Sequence, residues 1–204
     1  MVSSKHIAFI AIMSALGNVL AGISINIAPI LAATSPGGGG AALDLSHIAT
    51  FIAAIFGGPI TGAIVGFLGG IYSGYTFGFT LGSLGLLSLI GLPVGKAITG
   101  LMAGLLHKGL KVNQRMRPST LTVPIVLLSY IPEFLFTVAY FLYLVLFFYG
   151  NAMAFMLPIV LPKAWIEIIL ISFLMGALVG NVGFRDFVSR FFVSTARLKN
   201  KTSK

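Results

Sequence analysis

The chain contains no cysteine. That absence removes a disulfide framework, a thiolate metal site and a cysteine nucleophile together. Charge is nearly as scarce. Only 8% of the 204 residues are Asp, Glu, Lys or Arg, against about 25% in soluble domains, which need a polar surface to face water. With 57% hydrophobic residues and a mean hydropathy of +1.04, the chain cannot clothe a globule of its size, so lipid is its expected solvent. Catalytic motifs are missing as well: there is no GxSxG elbow, no HExxH and no paired-Glu signature. Nor is there a phosphate-binding loop, because Gly95-Lys96 is followed by Ala97 and lacks the upstream glycine. The sequence therefore speaks against an enzyme, calls for no cofactor, and leaves any ATP hydrolysis to another subunit. No internal repeat is evident, which weighs against the larger inverted-repeat transporters.

What remains is an alternation of apolar runs and basic segments. A helix crosses the hydrocarbon core with about 20 apolar residues. On that ruler, spans are expected at residues 7–28, 43–56, 59–77, 81–106, 121–148 and 162–182. The first run carries no charge and exceeds the about 7–15 residues of a signal-peptide core, so it reads as a retained span. The formal charge of +9 does not point to nucleic acid, because the cations flank apolar runs rather than covering a face. Lys5, then Lys108, Lys111, Arg115 and Arg117, then Arg185, Arg190, Arg197, Lys199, Lys201 and Lys204 fall on one side of a six-span arrangement, and Lys163 lies on the other. The positive-inside rule makes the basic side cytoplasmic. The expected fold is an all-α bundle of six transmembrane helices with both termini in the cytoplasm of a plasma-membrane protein. Residues 1–184 would form the bundle and 185–204 a basic tail. The outer connections, residues 26–42, 72–80 and 150–161, include four successive glycines after Pro36, which suit a lid or a slack linker equally.

Gly58, Gly62, Gly66, Gly70, Gly74 and Gly78 recur at every fourth position, so one face of the third span has no side chains, and tight helix packing is its plainest use. Gly57-Gly58-Pro59 reads as a tight turn between the second and third spans. Ala8, Ala11 and Ala15 share a face of the first span, suited either to a contact inside the bundle or to docking of a partner's helix. Three of the four acids, Asp44, Glu133 and Glu167, fall in or at the ends of spans, where an ionised group is costly and marks a cavity or a partner. Asp44 and His47 are three apart and share a helical face. Two such residues are one or two short of a transition-metal site, so no metal is expected. Glu167 is near Trp165, an interfacial anchor or a stacking platform, and is four residues from Lys163, with which it can pair. Glu133 sits mid-span beside Pro132, and Lys96 lies in the fourth span, to pair with an acid or to snorkel.

The stretches AFIAIMSAL (residues 8–16), GPITGAIVGFLGGIYS (58–73) and GKAITGLMAGLL (95–106), together with the length, six spans and basic tail, resemble the substrate-binding S components of energy-coupling factor (ECF) vitamin transporters. The resemblance implies a subunit that binds a small vitamin-like molecule from outside. It implies partners too: a transmembrane T subunit, met by the Ala11/Ala15 face, and two ATPase subunits that drive the S component to topple and release its cargo. Its site would lie near the outer face and, mapped here, selects Asp44, His47, Tyr72, Tyr75, Asn151, Trp165 and Glu167. Acids, tyrosines and a tryptophan in the outer half suit a small aromatic ligand, cationic or amine-bearing, such as a vitamin-like heterocycle, while Lys163 offers instead to hold a carboxylate. The competing readings are a solitary carrier using Glu133 and Glu167 as proton or cation relays, and an intramembrane enzyme for which no motif speaks.

Overall fold

The computed structural model describes residues 4–33, 44–80, 84–112, 117–150 and 157–190. Among them the chain is helical, with no strand. Helix α1 spans Ser4–Ala33, α2 His47–Gly57, α3 Pro59–Thr80, α4 Leu86–Gly109, α5 Pro118–Tyr149 and α6 Leu157–Gly180, followed by a short α7, Val182–Ser189. Five of these, α1 and α3 to α6, are long and apolar enough to cross a membrane, and α2 is a shorter apolar helix of 11 residues. The basic tail thus begins within α7, whose N-cap Asn181 accepts the Phe184 N–H at 2.9 Å.

The turns follow from local chemistry. Gly58 alone separates α2 from α3, at φ 90°, a conformation that glycine adopts without a Cβ penalty. Pro59 then opens α3, where its missing N–H costs nothing. Pro118 opens α5 in the same way. Helix α6 starts five residues before Pro162 rather than at it. The proline forfeits one hydrogen bond inside a helix, and the helix continues through it. Glu167 consequently lies almost three turns into α6 rather than one.

The glycine stripe of α3 packs antiparallel on α4. A Cβ on Gly62 would meet Gly100 O at 2.6 Å, one on Gly66 would meet Lys96 O at 2.4 Å, and one on Gly78 would meet Gly85 O at 2.5 Å. Backbone meets backbone along the whole seam, as small-residue faces allow in lipid. Gly176 and Gly180 bring α6 against Ser119 and Val123 of α5, where the glycines face side chains as well as backbone.

Helix α1 runs parallel to α3 and repairs a break in it. The Asn18 carboxamide donates to Leu68 O at 3.0 Å and accepts the Tyr72 N–H at 2.9 Å. These are the two groups that an unbroken helix would pair with each other at i→i−4. The side chain has been inserted into the ladder, a recognised cause of a helix interruption, and the helix breaks at Gly70.

Helix α2 sits at the centre. Residues 49–55 are buried on every side, among α1, α3, α4 and α6. Phe51 of α2 shares the core with Phe9 of α1 and Ile168 and Met175 of α6. The longer helices turn Ile7, Val19, Ile60, Leu128 and Phe173 outward. Apolar side chains on both the inner and the outer surface are what a bundle in lipid requires.

Candidate functional site

A cavity of about 620 Å³ lies at the end of the bundle where α1 and α3 finish and α2, α4 and α6 begin. Its walls come from Asn26 of α1, Asp44 and His47 at the start of α2, Phe77 of α3, the first half of α4, Tyr130 to Phe141 of α5, and Val160 to Glu167 of α6. Two short π-helical stretches border it, Thr76–Thr80 and Tyr140–Val145. Such stretches recur at functional sites because they redirect side chains; here Phe77, Tyr140 and Phe141 are the side chains they turn toward the cavity.

Glycines make the room. A Cβ on Gly91 would stand 2.7 Å from the Tyr140 ring, and one on Gly95 would stand 3.2 Å from Glu133 Oε1. Tyr140 fills the first gap and donates to Leu87 O at 2.5 Å. Glu133 fills the second, so α5 carries a carboxylate directly against the backbone of α4.

The polar floor of the cavity is a connected network. Lys96, 1% exposed, places Nζ 2.6 Å from Asp44 Oδ2. It also donates to Ser46 Oγ and, at 3.1 Å, to Ser73 Oγ. Asp44 Oδ1 accepts from Ser46 Oγ at 2.6 Å and from Ser46 N at 3.1 Å, which shapes the turn into α2. The backbone N–H of Asp44 donates to Glu167 Oε1 at 2.8 Å, and Lys163 Nζ lies 3.3 Å from the same oxygen. On the opposite wall, His47 Nε2 is 3.1 Å from Glu133 Oε2, which also accepts from Thr99 Oγ1. Every carboxylate has a basic partner, the condition under which ionised groups persist in a low-dielectric interior.

Of the residues selected from sequence, the cavity brings together Asp44, His47 and Glu167. Trp165 stands one layer behind, edge-on to Tyr130 at 5.3 Å and tilted against Phe134 at 5.8 Å. Tyr72 and Tyr75 do not line the cavity. Both are exposed, Tyr72 lying over Gly22 of α1 and Tyr75 beside Phe79. Asn151 lies outside the described residues. Ala11 and Ala15 are exposed on α1, as is Ala8. The structure adds Lys96, Glu133, Lys163, Tyr130 and Tyr140 to the walls. Glu133, read from sequence as lying deeper, shares the cavity with the other acids. Lys96 and Glu133 carried a signal, since each is an ionisable residue inside an apolar run. The two tyrosines carried none.

Buried ionisable groups around a cavity, in a bundle otherwise coated with apolar side chains, are an arrangement suited to holding a polar small molecule within a membrane. Residues 5–179 match the family described as ECF transporter, substrate-specific component. The chain belongs to that family. It is therefore a multi-pass membrane protein and the substrate-recognising subunit of an ECF transporter. No curated protein and no solved structure matches it.

Proposed function

We propose that this S component captures a small vitamin-like molecule at the outer face of the plasma membrane, in the cavity between Asp44, His47, Lys96, Glu133 and Glu167. The observation that carries the reading is the cavity itself: it is the meeting point of three carboxylates and two lysines in an apolar bundle. Helices α1 to α6 form six spans, with α2 shielded by the others. The amino terminus and the tail from residue 185 lie in the cytoplasm, because Lys5, Lys108, Lys111, Arg117, Arg185 and Arg190 gather at the end of the bundle away from the cavity. A transmembrane T subunit and two ATPase subunits energise release. The exposed Ala8, Ala11 and Ala15 face of α1 is the docking surface, since small side chains let a partner helix approach closely.

The buried His47–Glu133 pair favours one second reading, a solitary carrier that moves protons through that pair. Purification of the tagged chain from its native membranes separates the two. The S-component reading expects a T subunit and ATPases in the complex, and uptake that stops on ATP depletion. Uptake that survives ATP depletion and collapses with the proton gradient would establish the carrier instead.

A further inference from the structure

The charged groups of the cavity come in three opposite pairs. Lys96 meets Asp44 at 2.6 Å, Lys163 meets Glu167 at 3.3 Å, and His47 Nε2 meets Glu133 Oε2 at 3.1 Å. The third pair decides the net charge. One proton lies between Nε2 and Oε2 and can rest on either atom. On Nε2 it makes an imidazolium facing a carboxylate; on Oε2 it makes a neutral ring facing a carboxylic acid. Both arrangements sum to zero across the pair, and both leave a proton on the ring's other nitrogen, Nδ1. The alternative is a neutral ring protonated only at Nε2 against an ionised Glu133. It strands a carboxylate that is 6% exposed, because Lys96 and Lys163 are engaged by other acids.

Two consequences follow from that one shared proton. The walls carry no net charge, and His47 Nδ1 presents an N–H. The ring is 5% exposed and lines the cavity, and Nδ1 has no hydrogen-bond partner among the described residues. An unpaired buried donor is costly and calls for an acceptor. A charged ligand of either sign fits badly. An anion must draw Lys163 or Lys96 from its acid, and a cation must draw an acid from its basic partner; each leaves a charge stranded.

We propose that the substrate is electrically neutral and amide-like, an uncharged aromatic molecule whose carbonyl or ring nitrogen accepts the His47 Nδ1–H. Phe77, Phe136, Tyr140 and Phe141 give the cavity aromatic walls, against which a planar ring stacks. An N–H of such a ligand can share Glu167. Both described donors to that carboxylate, Lys163 and the Asp44 N–H, meet Oε1, and a carboxylate has about four acceptor sites. This inference rests on the reading of the cavity as the substrate site.

Three probes of one planar shape test the charge class at neutral pH: benzamide, uncharged; benzoate, an anion; and benzamidine, a cation. The chain has a single tryptophan, and Trp165 packs on Tyr130 of the cavity wall, so its fluorescence reports occupancy in the purified protein. Benzamide should bind at least about tenfold tighter than either charged probe, the scale of one hydrogen bond or one stranded charge. Lys163→Met leaves the walls at one negative charge, so benzamidine should then bind at least as tightly as benzamide. Equal binding of the three, a preference for either charged probe, no response to benzamide, or an unchanged order in folded Lys163→Met overturns the neutral class. Nitrogen-15 NMR reads the shared proton itself. The His47 Nδ1 resonance, assigned by its loss in His47→Gln, should be that of a protonated nitrogen and should move when benzamide is added. The resonance of a bare lone-pair nitrogen overturns the proposal. Ala164→Phe and Val160→Phe, each checked for folding by its melting transition, place a ring in the cavity and should abolish the benzamide response. If a folded variant retains it in full, the probe binds elsewhere, and the reading of the cavity fails rather than the charge class alone.

Discussion

Lys96 of α4 and Asp44, in the turn before α2, meet at 2.6 Å with the lysine fully enclosed. The pair joins three helices, because the same ammonium donates to Ser73 of α3. It also holds Asp44 where its backbone N–H reaches Glu167 of α6. Removing one member of a buried pair strands the other charge, at a cost of about 3–5 kcal/mol. Lys96→Met should therefore lower the melting temperature of the detergent-solubilised protein sharply. Adding Asp44→Asn to Lys96→Met should recover part of the loss, since neither charge is then stranded. Additive losses in the double variant would show that the two residues do not act as a pair.

Asn18 replaces one backbone hydrogen bond of α3 with two of its own, to Leu68 O and Tyr72 N. Asn18→Leu keeps the volume and removes both. The protein should lose about 1–3 kcal/mol, the cost of leaving such groups unpaired, unless α3 straightens to pair them. In either case hydrogen exchange at the Tyr72 amide should change more than at Gly62, which is bonded within the first turn of α3. Unchanged exchange at Tyr72 would show that the insertion has no structural role.

Topology can be read chemically, because the chain has no cysteine of its own. Asn113→Cys and Asn200→Cys should resist membrane-impermeant thiol reagents in intact cells, and Gly38→Cys should react. Labelling of Asn113→Cys before lysis would contradict the six-span arrangement.

The exposed alanine face of α1 yields a different signature. Ala11→Trp and Ala15→Trp point away from the cavity, so substrate binding by the isolated subunit should be unchanged while uptake by the full complex is lost. Loss of binding with assembly intact would return that face to the interior of the bundle.

Much of this architecture was legible in the residues. The four-residue glycine period announced a bare helix face, and that face is the α3–α4 seam. The Gly57-Gly58-Pro59 turn falls where it was expected, and Lys163 pairs with Glu167 as its spacing implied. Glu167 lies deeper in α6 than a span beginning at Pro162 implies, because the helix runs through that proline. The participation of Glu133 was not legible either. It depends on Gly95 leaving space on α4 and on His47 turning toward α5, and neither is a property of the local sequence. Tyr72 and Tyr75 matched the right chain segment, but their exposed positions follow from how α3 rotates against α1, which residue spacing does not encode.

The central claim is that this cavity holds the transported molecule, and Glu167 offers the sharpest test. The small molecule that co-purifies with the protein is identified by mass spectrometry, and its affinity is measured by calorimetry on wild type and on Glu167→Gln. The amide is nearly isosteric, so the fold should survive. Loss of a charged acceptor facing the ligand site corresponds to about 1.5–3 kcal/mol, or a roughly 10- to 150-fold weaker Kd. Tyr75→Phe, outside the cavity, should bind as wild type does. Wild-type affinity in folded Glu167→Gln, with the loss appearing instead in Tyr75→Phe, would place the substrate elsewhere and contradict the account.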